Sequence, residues 1–394
     1  MESAYKKVLH ISDTHIFPHR LANRDSLRNF CQAVANKFDA DKWIVLITGD
    51  IVDGAHMQGS INREYSNARY ALRPLIQKSF EIRMVPGNHD FGYLGNVYNK
   101  RNEDRYNKFY LDVCKSNVVF PDKIDYDSSD GVDGWSLILL NSNYRTNQPN
   151  WFAQGRIHTR QLREIERLLS EFRETKRPCL IALHHHYTGT GHLTKLVDAD
   201  QFMAVLKGRE SRVTVCCGHR HSQNLNMTDP ALPGGSGDRS LRGVKAANLN
   251  PGIKRNSSGN PNSAILIDPI EQIVEYVWVP SYTEPYEIKV SPQSAVPGSR
   301  VVVSKVDDNF NSSGQIEMID RKQCCIKKTI IPKLENGKLD FNIPPDMNTG
   351  SYYLRVRFWR DVPYAAHNQK VLISHLQCPK IPFAVLEPNS PERI

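Results

Sequence analysis

The sequence contains no apolar run near the ~20 residues that a membrane-spanning helix needs. Its longest apolar stretches, WIVLI at 43–47, CLIAL at 179–183 and AILI at 264–267, are strand-sized. A helical membrane protein is thereby excluded. There is no Cys-x-x-Cys: the 8 cysteines are scattered apart from the adjacent pairs Cys216-Cys217 and Cys324-Cys325. Vicinal cysteines rarely bridge, so buried thiols in a reducing compartment are expected rather than a disulfide framework. No run of five like charges, internal repeat or low-complexity tract occurs, and the near-average composition excludes a disordered tail protein and a collagen. At the N-terminus, MESAYKKVLHISDTH, two lysines precede only four apolar residues. That is too short for a signal-peptide core, so no cleavage and a cytoplasmic location are expected.

What is present is 394 residues, 40% hydrophobic and 24% charged, a length that suggests two domains. Residues 1 to about 280 repeat one rhythm of short apolar strand, polar turn and amphipathic helix. Strands are predicted at 7–12, 43–48, 81–85, 135–141, 179–184, 213–217 and 264–268, and helices at 24–38, 62–78 and 159–174. In the last helix Leu162, Ile165, Leu168, Leu169 and Phe172 form one apolar stripe. This alternation predicts an α/β layered core. Residues 226–262, rich in Gly, Ser, Asn and Pro, read as one long loop. After a Pro-punctuated hinge at 279–286 the pattern becomes period-two strands between Pro/Gly/Asn turns with no helix, which predicts a C-terminal all-β, Ig-like sandwich domain. The predicted domains are 1–282 and 283–394.

Seven of the 14 histidines fall in four short motifs, each closing a predicted strand. They are Asp13-x-His15, Gly87-Asn88-His89-Asp90, His184-His185-His186 and Gly218-His219-x-His221; Gly49-Asp50 closes a fifth strand. Asp, His and Asn offer oxygen and imidazole nitrogen without thiolate, a donor set suited to Mn, Fe, Zn or Co. Asp13/His15 and His219/His221 are spaced i, i+2, so in extended chain each pair points to one side. Strand ends in an α/β sheet deliver such groups to one edge. Asp50, alone at its strand tip, is placed to bridge two ions. Strand alternation separates His185 from His184 and His186 but does not decide which of the three ligates.

These motifs, in this order over residues 5 to about 280, resemble the calcineurin-like metallophosphoesterase superfamily. The resemblance implies a four-layer β-sandwich flanked by helices, with two divalent metal ions. It implies that Asp13, His15 and His221 hold one ion, that Asn88, His219 and one of the three histidines hold the other, and that Asp50 bridges. The family usually shows His-x-Pro at the fourth motif with the first His on metal; placing Tyr187 at the proline position selects His185. His89 would lie outside the metals as general acid near the leaving-group oxygen, oriented by Asp90. The implied reaction is attack by a hydroxide held between the ions.

Within the superfamily SDTHIF, GDIVD and GNHD are most similar to the cyclic-nucleotide phosphodiesterase-like branch. The implied substrate is a small nucleotide-type phosphodiester, possibly cyclic. A nuclease resembling the repair exonucleases of the superfamily is the alternative, favoured by the net charge of +9 and by Arg239, Arg242, Lys245, Lys254 and Arg255 in the long loop. A metal-poor scaffold, with the β-domain mediating protein contacts or oligomerisation, is the third reading. His10 reads as core or as a support behind the ligands. Tyr144, Arg145 and His192 are candidates to line the cleft, and His367 and His375 read as structural.

Overall fold

The computed structural model describes residues 5–19, 21–54, 60–93, 97–127, 134–143, 154–175, 177–187, 196–206, 213–219, 242–245, 263–271, 273–279, 288–306, 310, 312–321, 326–361, 370–372 and 380–387. The chain divides into two compact units, Met1–Pro280 and Ser281–Ile394.

The first unit contains two five-stranded sheets. One has the order Ile273–Trp278, Ser263–Asp268, Lys7–Ile11, Trp43–Ile47, Glu81–Met84; the other has Arg242–Lys245, Val213–Cys217, Cys179–Ala182, Gly134–Leu139, Asp122–Asp127. Lys7–Ile11, Trp43–Ile47 and Glu81–Met84 run parallel, as do Gly134–Leu139, Cys179–Ala182, Val213–Cys217 and Arg242–Lys245. Alternation along each strand sorts side chains into layers. Ile44, Leu46, Ile265 and Ile267 of the first sheet share one core with Leu137, Leu139, Leu180, Ala182 and Cys216 of the second. The alternate residues Ile138, Leu140, Ile181, Leu183 and Val215 pack with Leu162, Ile165, Leu168, Leu169 and Phe172 of helix Thr159–Thr175 and with Phe202 of helix Ala199–Leu206. Leu9, Val45 and Ile47 are equally buried, as are Leu27, Phe30 and Val34 of helix Leu21–Lys37 and Ala68, Leu72 and Leu75 of helix Ser60–Gln77. Strands buried on both faces explain the unbroken apolar runs at 43–47 and 179–183. The result is the expected four-layer arrangement. No described helix is long and apolar enough to cross a membrane.

Two elements differ from the sequence reading. Helix Lys100–Cys114 was not anticipated, because its apolar face (Tyr106, Phe109, Tyr110, Val113) is confined to the second half of a charged segment. The stretch 226–262 is not all loop: Arg242–Lys245 adds an edge strand beside Val213–Cys217. Four residues with one apolar side chain carry no periodic signal; pairing with the neighbour makes the strand.

In the second unit one sheet has the order Ile288–Ser291, Arg300–Lys305, Lys338–Asn342, Lys333–Glu335. The other has Ser294–Ala295, Lys380–Val385, Gly350–Asp361, Gly314–Asp320, Ile326–Ile330, with Lys370–Leu372 paired to Gly350–Asp361. Val301, Val303, Leu339 and Phe341 from one sheet meet Ile316, Met318, Leu354, Val356 and Phe358 from the other. It is an all-β sandwich, and no helix occurs among its described residues.

The two sheets of the first unit are also joined through Glu81. Its carboxylate accepts hydrogen bonds from Tyr126 Oη (2.6 Å), Lys6 Nζ (3.0 Å) and Arg83 Nε (2.8 Å). Burial pushes this carboxyl up, but the hydrogen bonds from Tyr126 and Lys6 and the Arg83 charge outweigh it and hold it below its ordinary value. A depressed pKa contributes stability that is present above the unfolded-state pKa and lost as pH falls through the folded one. Glu81→Gln is therefore expected to lower unfolding free energy by roughly 1–2 kcal/mol at pH 7. Urea titrations at pH 7 and pH 3 check this, with the difference from wild type smaller at the lower pH.

Candidate metal centre

Because the strands ending at Ile11, Ile47 and Met84 are parallel, the loops that follow them leave from one edge of the first sheet. The strands ending at Ala182 and Cys217 do the same in the second. Asp13, Asp50, His184 and His219 lie in four of these loops, and Asn88 opens the short helix at the end of the fifth. The backbone there is unusual: Asp13 (φ 53°), His15 (φ 39°), Asp50 (φ 50°) and His219 (φ 73°) are all left-handed. Such residues cost on the order of 1–3 kcal/mol each and persist where the surroundings over-determine them. Here Asp13 N–H donates to Gly49 O (3.0 Å), His15 N–H to Asp50 O (2.9 Å) and His219 N–H to both Asp13 carboxylate oxygens (3.0 Å). Close approach also demands glycine: a Cβ on Gly87 would lie 2.1 Å from Asp50 Oδ1.

Three ligand-sized clusters occur among the described residues, His15–Asp53–His89, Asp13–His15–Asp50 and Asp50–His184–His219, and Asp50 belongs to the last two. Its Oδ1 accepts the His89 backbone N–H (3.0 Å), while its Oδ2 lies 3.2 Å from His184 Nε2 and 3.7 Å from His15 Nε2. His184 Nδ1 donates to the Thr48 carbonyl (2.7 Å), which leaves the Nε2 lone pair facing the centre. Asn88 Oδ1 and His219 Nδ1 each lie 3.1 Å from that nitrogen. When the ring is neutral, carboxylate oxygen, amide oxygen and imidazole nitrogen crowd one point, an arrangement that a proton or a metal ion resolves. The donor set fits divalent cations of the Mn, Fe, Zn and Co type.

Of the three histidines, His184 places its Nε2 near Asp50 Oδ2 (3.2 Å) and Asn88 Oδ1 (3.1 Å), whereas the register taken from Tyr187 selects His185. The strand ends at Ala182, so alternation no longer governs 184–186. His185 turns its Nδ1 to Ser142 Oγ (2.9 Å) and packs against Gly155, whose added Cβ would lie 2.3 Å from the imidazole. At the third position of the short helix Asn88–Phe91 the Asp90 carboxylate points back to the helix start, accepting from Gly87 N (2.9 Å), Ile51 N (3.2 Å) and Val52 N (3.3 Å). The His89 ring is held by its Nδ1 donating to Asp53 O (2.7 Å).

Asp53 is the residue that motif reading missed. Its carboxylate lies 3.4 Å from His15 Nδ1 and its carbonyl holds His89. The available signal was its place three residues after Asp50 in GDIVD. His10 lies behind the site, its Nε2 2.8 Å from Thr48 Oγ1, and burial lowers its pKa to about 3, so the ring is neutral. His221, Tyr144, Arg145, His192, Arg239, Lys254, Arg255, His367 and His375 lie outside the described residues, as do the side chains of Arg242 and Lys245.

The electrostatics show a centre short of positive charge. Burial opposes ionisation of Asp50, yet the charges of His184, His89 and His15 hold it well below the carboxylate range. Burial would likewise lower His184, but Asp50 raises it to about 9; His15 is also raised, by Asp53, Asp50 and Asp13 against the same burial. Asp90 rises to about 7, first from burial and then from the neighbouring Asp50 charge.

A family profile described as calcineurin-like phosphoesterase matches residues 6–223. Among solved structures the chain is similar to a dimetal phosphatase from Danio rerio, at 13% identity over 77% of this chain and 96% of that one, with a TM-score of 0.46. It is also similar to GAP50, the anchor in the inner membrane complex of Plasmodium, at 9% identity over 84% of this chain and 90% of that one, with a TM-score of 0.38. No curated protein sequence matches the chain significantly.

The geometry separates the adjacent histidines by experiment. His184→Ala and Asp50→Ala are expected to lose bound metal, measured by elemental analysis after reconstitution and desalting, whereas His185→Ala keeps it. Metal retained by His184→Ala and lost by His185→Ala would reverse the assignment.

Proposed function

The chain belongs to the calcineurin-like phosphoesterase family, and from that premise we propose that it is a two-cation phosphodiesterase acting on a nucleotide-type substrate. The observation that carries the reading is the Asp50 carboxylate, whose Oδ2 lies between His184 Nε2 and His15 Nε2. In this reading Asp13, His15 and Asp50, with His221 from the sequence motif, would hold one cation; Asp50, Asn88, His184 and His219 would hold the other. When bound, such a pair supplies Lewis acidity, lowering the pKa of a water and neutralising charge on phosphoryl oxygens.

The chain's own groups set the rest. His89 Nδ1–H is committed to the Asp53 carbonyl, so Nε2 is the atom that carries the transferable proton. From there His89 protonates the departing alkoxide. Its backbone N–H is fixed by Asp50 Oδ1, which ties the acid to the shared carboxylate. Asp53, beside His15 Nδ1, keeps the His15 Nε2 lone pair turned to the centre. Support for a diester comes from the likeness of SDTHIF, GDIVD and GNHD to the cyclic-nucleotide phosphodiesterase-like branch.

Reconstitution with Mn, Fe, Zn or Co and comparison of a phosphomonoester, a linear diester, cyclic mononucleotides, cyclic dinucleotides and single-stranded DNA tests the reading. Faster turnover of small diesters with a shallow salt dependence is expected. Preference for the monoester would defeat it; preference for DNA, with a log–log salt slope near 0.7 per neutralised phosphate, would favour the nuclease. His89→Asn is expected to keep both metals while turnover of a poor-leaving-group diester falls about 10²–10⁴-fold. Unchanged turnover would remove His89 from the acid role.

A further inference from the structure

The helices of the first unit fall into two groups by charge. Leu21–Lys37, Ser60–Gln77 and Lys100–Cys114 together carry ten Lys and Arg against five Asp and Glu. Two of those acids, Glu64 and Glu103, are buried. Thr159–Thr175 and Ala199–Leu206, which pack on the second sheet, carry four against five. There Arg167 is answered by both Glu164 and Glu171. On the basic helices Arg63, Arg73, Arg101 and Lys108 are exposed and have no acidic partner among the described residues.

The three basic helices form one continuous face. Leu21–Lys37 packs on Ser60–Gln77, and Ser60–Gln77 on Lys100–Cys114. Arg28 ties the first pair by donating to Tyr70 O (3.1 Å), and Arg69 ties the second by donating to Asp112 Oδ2 (3.2 Å). Arg24 and Arg28 also lie over the Tyr70 ring, 5.0 and 4.3 Å from its centre. Apolar side chains are set among these charges. Leu21 is 48%, Tyr70 43% and Leu111 47% exposed, three of the five large exposed hydrophobics described in the unit. None of these residues belongs to the metal centre.

Unanswered basic charge attracts anionic surfaces that come within a Debye length, ~8 Å at 0.15 M salt. The apolar side chains decide which kind of surface fits. Leu21 and Leu111 gain nothing against a phosphodiester backbone. At a bilayer they enter the boundary between headgroups and acyl chains. Tyrosine suits that boundary too, and the Tyr70 ring, lying under two guanidinium groups, is not open to stack a nucleobase. We infer that this three-helix face docks the protein peripherally on a membrane surface rich in anionic phospholipid.

The test uses the full-length protein in EDTA, so that no cation bridges protein and lipid. Co-sedimentation with vesicles of phosphatidylcholine alone is compared with vesicles that are about one third phosphatidylserine. Partitioning onto the phosphatidylserine vesicles is expected to be about tenfold stronger or more, and to weaken as salt rises. Arg63→Glu with Arg73→Glu should reduce it about tenfold or more in a protein shown by circular dichroism to be folded. Arg101→Glu with Lys108→Glu, in a different helix, should do the same and serves if the first pair unfolds. Arg163→Glu with Arg167→Glu, in helix Thr159–Thr175, makes the same change in net charge and should leave binding within about twofold. An equal loss in that control overturns the proposal, because net charge alone would then explain the binding. No preference for phosphatidylserine overturns it as well. Duplex DNA that displaces the protein from vesicles at matched phosphate concentration would assign the face to nucleic acid and overturns it too.

Discussion

A single carboxylate governs the architecture around it. Asp50 is 1% exposed and sits among His15, His89 and His184. A buried carboxylate is costly unless its charge is answered. Nothing apolar nearby can answer it, so each neighbouring element is arranged to do so. One oxygen is met by a backbone N–H and the other by two imidazole nitrogens. The same demand makes the centre a site for cations. With His184 Nδ1 bound to a carbonyl, its Nε2 cannot be a donor to Asp50 unless the ring takes a second proton, and a divalent ion satisfies more of these acceptors at once.

Holding that arrangement requires a backbone that ordinary loops do not adopt. Four of the site residues are left-handed without being glycine, and the glycines beside them stand where a methyl group would collide with the Asp50 carboxylate or the His184 ring. Parallel strands make this tolerable. The left-handed residues follow strands Lys7–Ile11, Trp43–Ile47 and Val213–Cys217, each paired on both sides, so the strain is spread over rigid supports rather than absorbed by the loop. Asp90 completes the frame by binding N–H groups of two different loops, Ile51 and Val52 in one and Gly87 in the other. Its high pKa follows from burial beside Asp50.

Much of this was legible in the residues alone. The strands that carry the motifs and the three helices with complete apolar stripes were predicted to within a few residues, because both faces of each sheet are buried and the apolar runs are correspondingly plain. Helix Lys100–Cys114 was not, since half of its length has no apolar face, and strand Arg242–Lys245 exists only through its partner. At the site, residue types were informative and orientation was not. Asp90 reads like a partner for His89 by adjacency, yet a short helix aims its third side chain backward. Asp53 acts on two rings through two different groups, and the carbonyl is invisible to any motif.

The three consecutive histidines show why orientation had to come from the fold. They are identical in type and all fully buried, yet their surroundings give them different chemistry. His184 faces Asp50 and is raised to about 9. His185, one residue on, is lowered well below its ordinary value, first by burial and then by the neighbouring His219 and His184, so it stays neutral. Its ring lies 5.0 Å from that of His184 and 4.7 Å from that of His219, a wall against which both are positioned. His186 lies near Cys217, its Nε2 3.9 Å from the sulfur. A neutral imidazole at the back of the centre adds no competing charge, so the attraction for cations remains with the carboxylates in front. The spacing of the Asp50–His184–His219 cluster then depends on the fit of His185 against Gly155 and Ser142, two positions far from the motif in sequence.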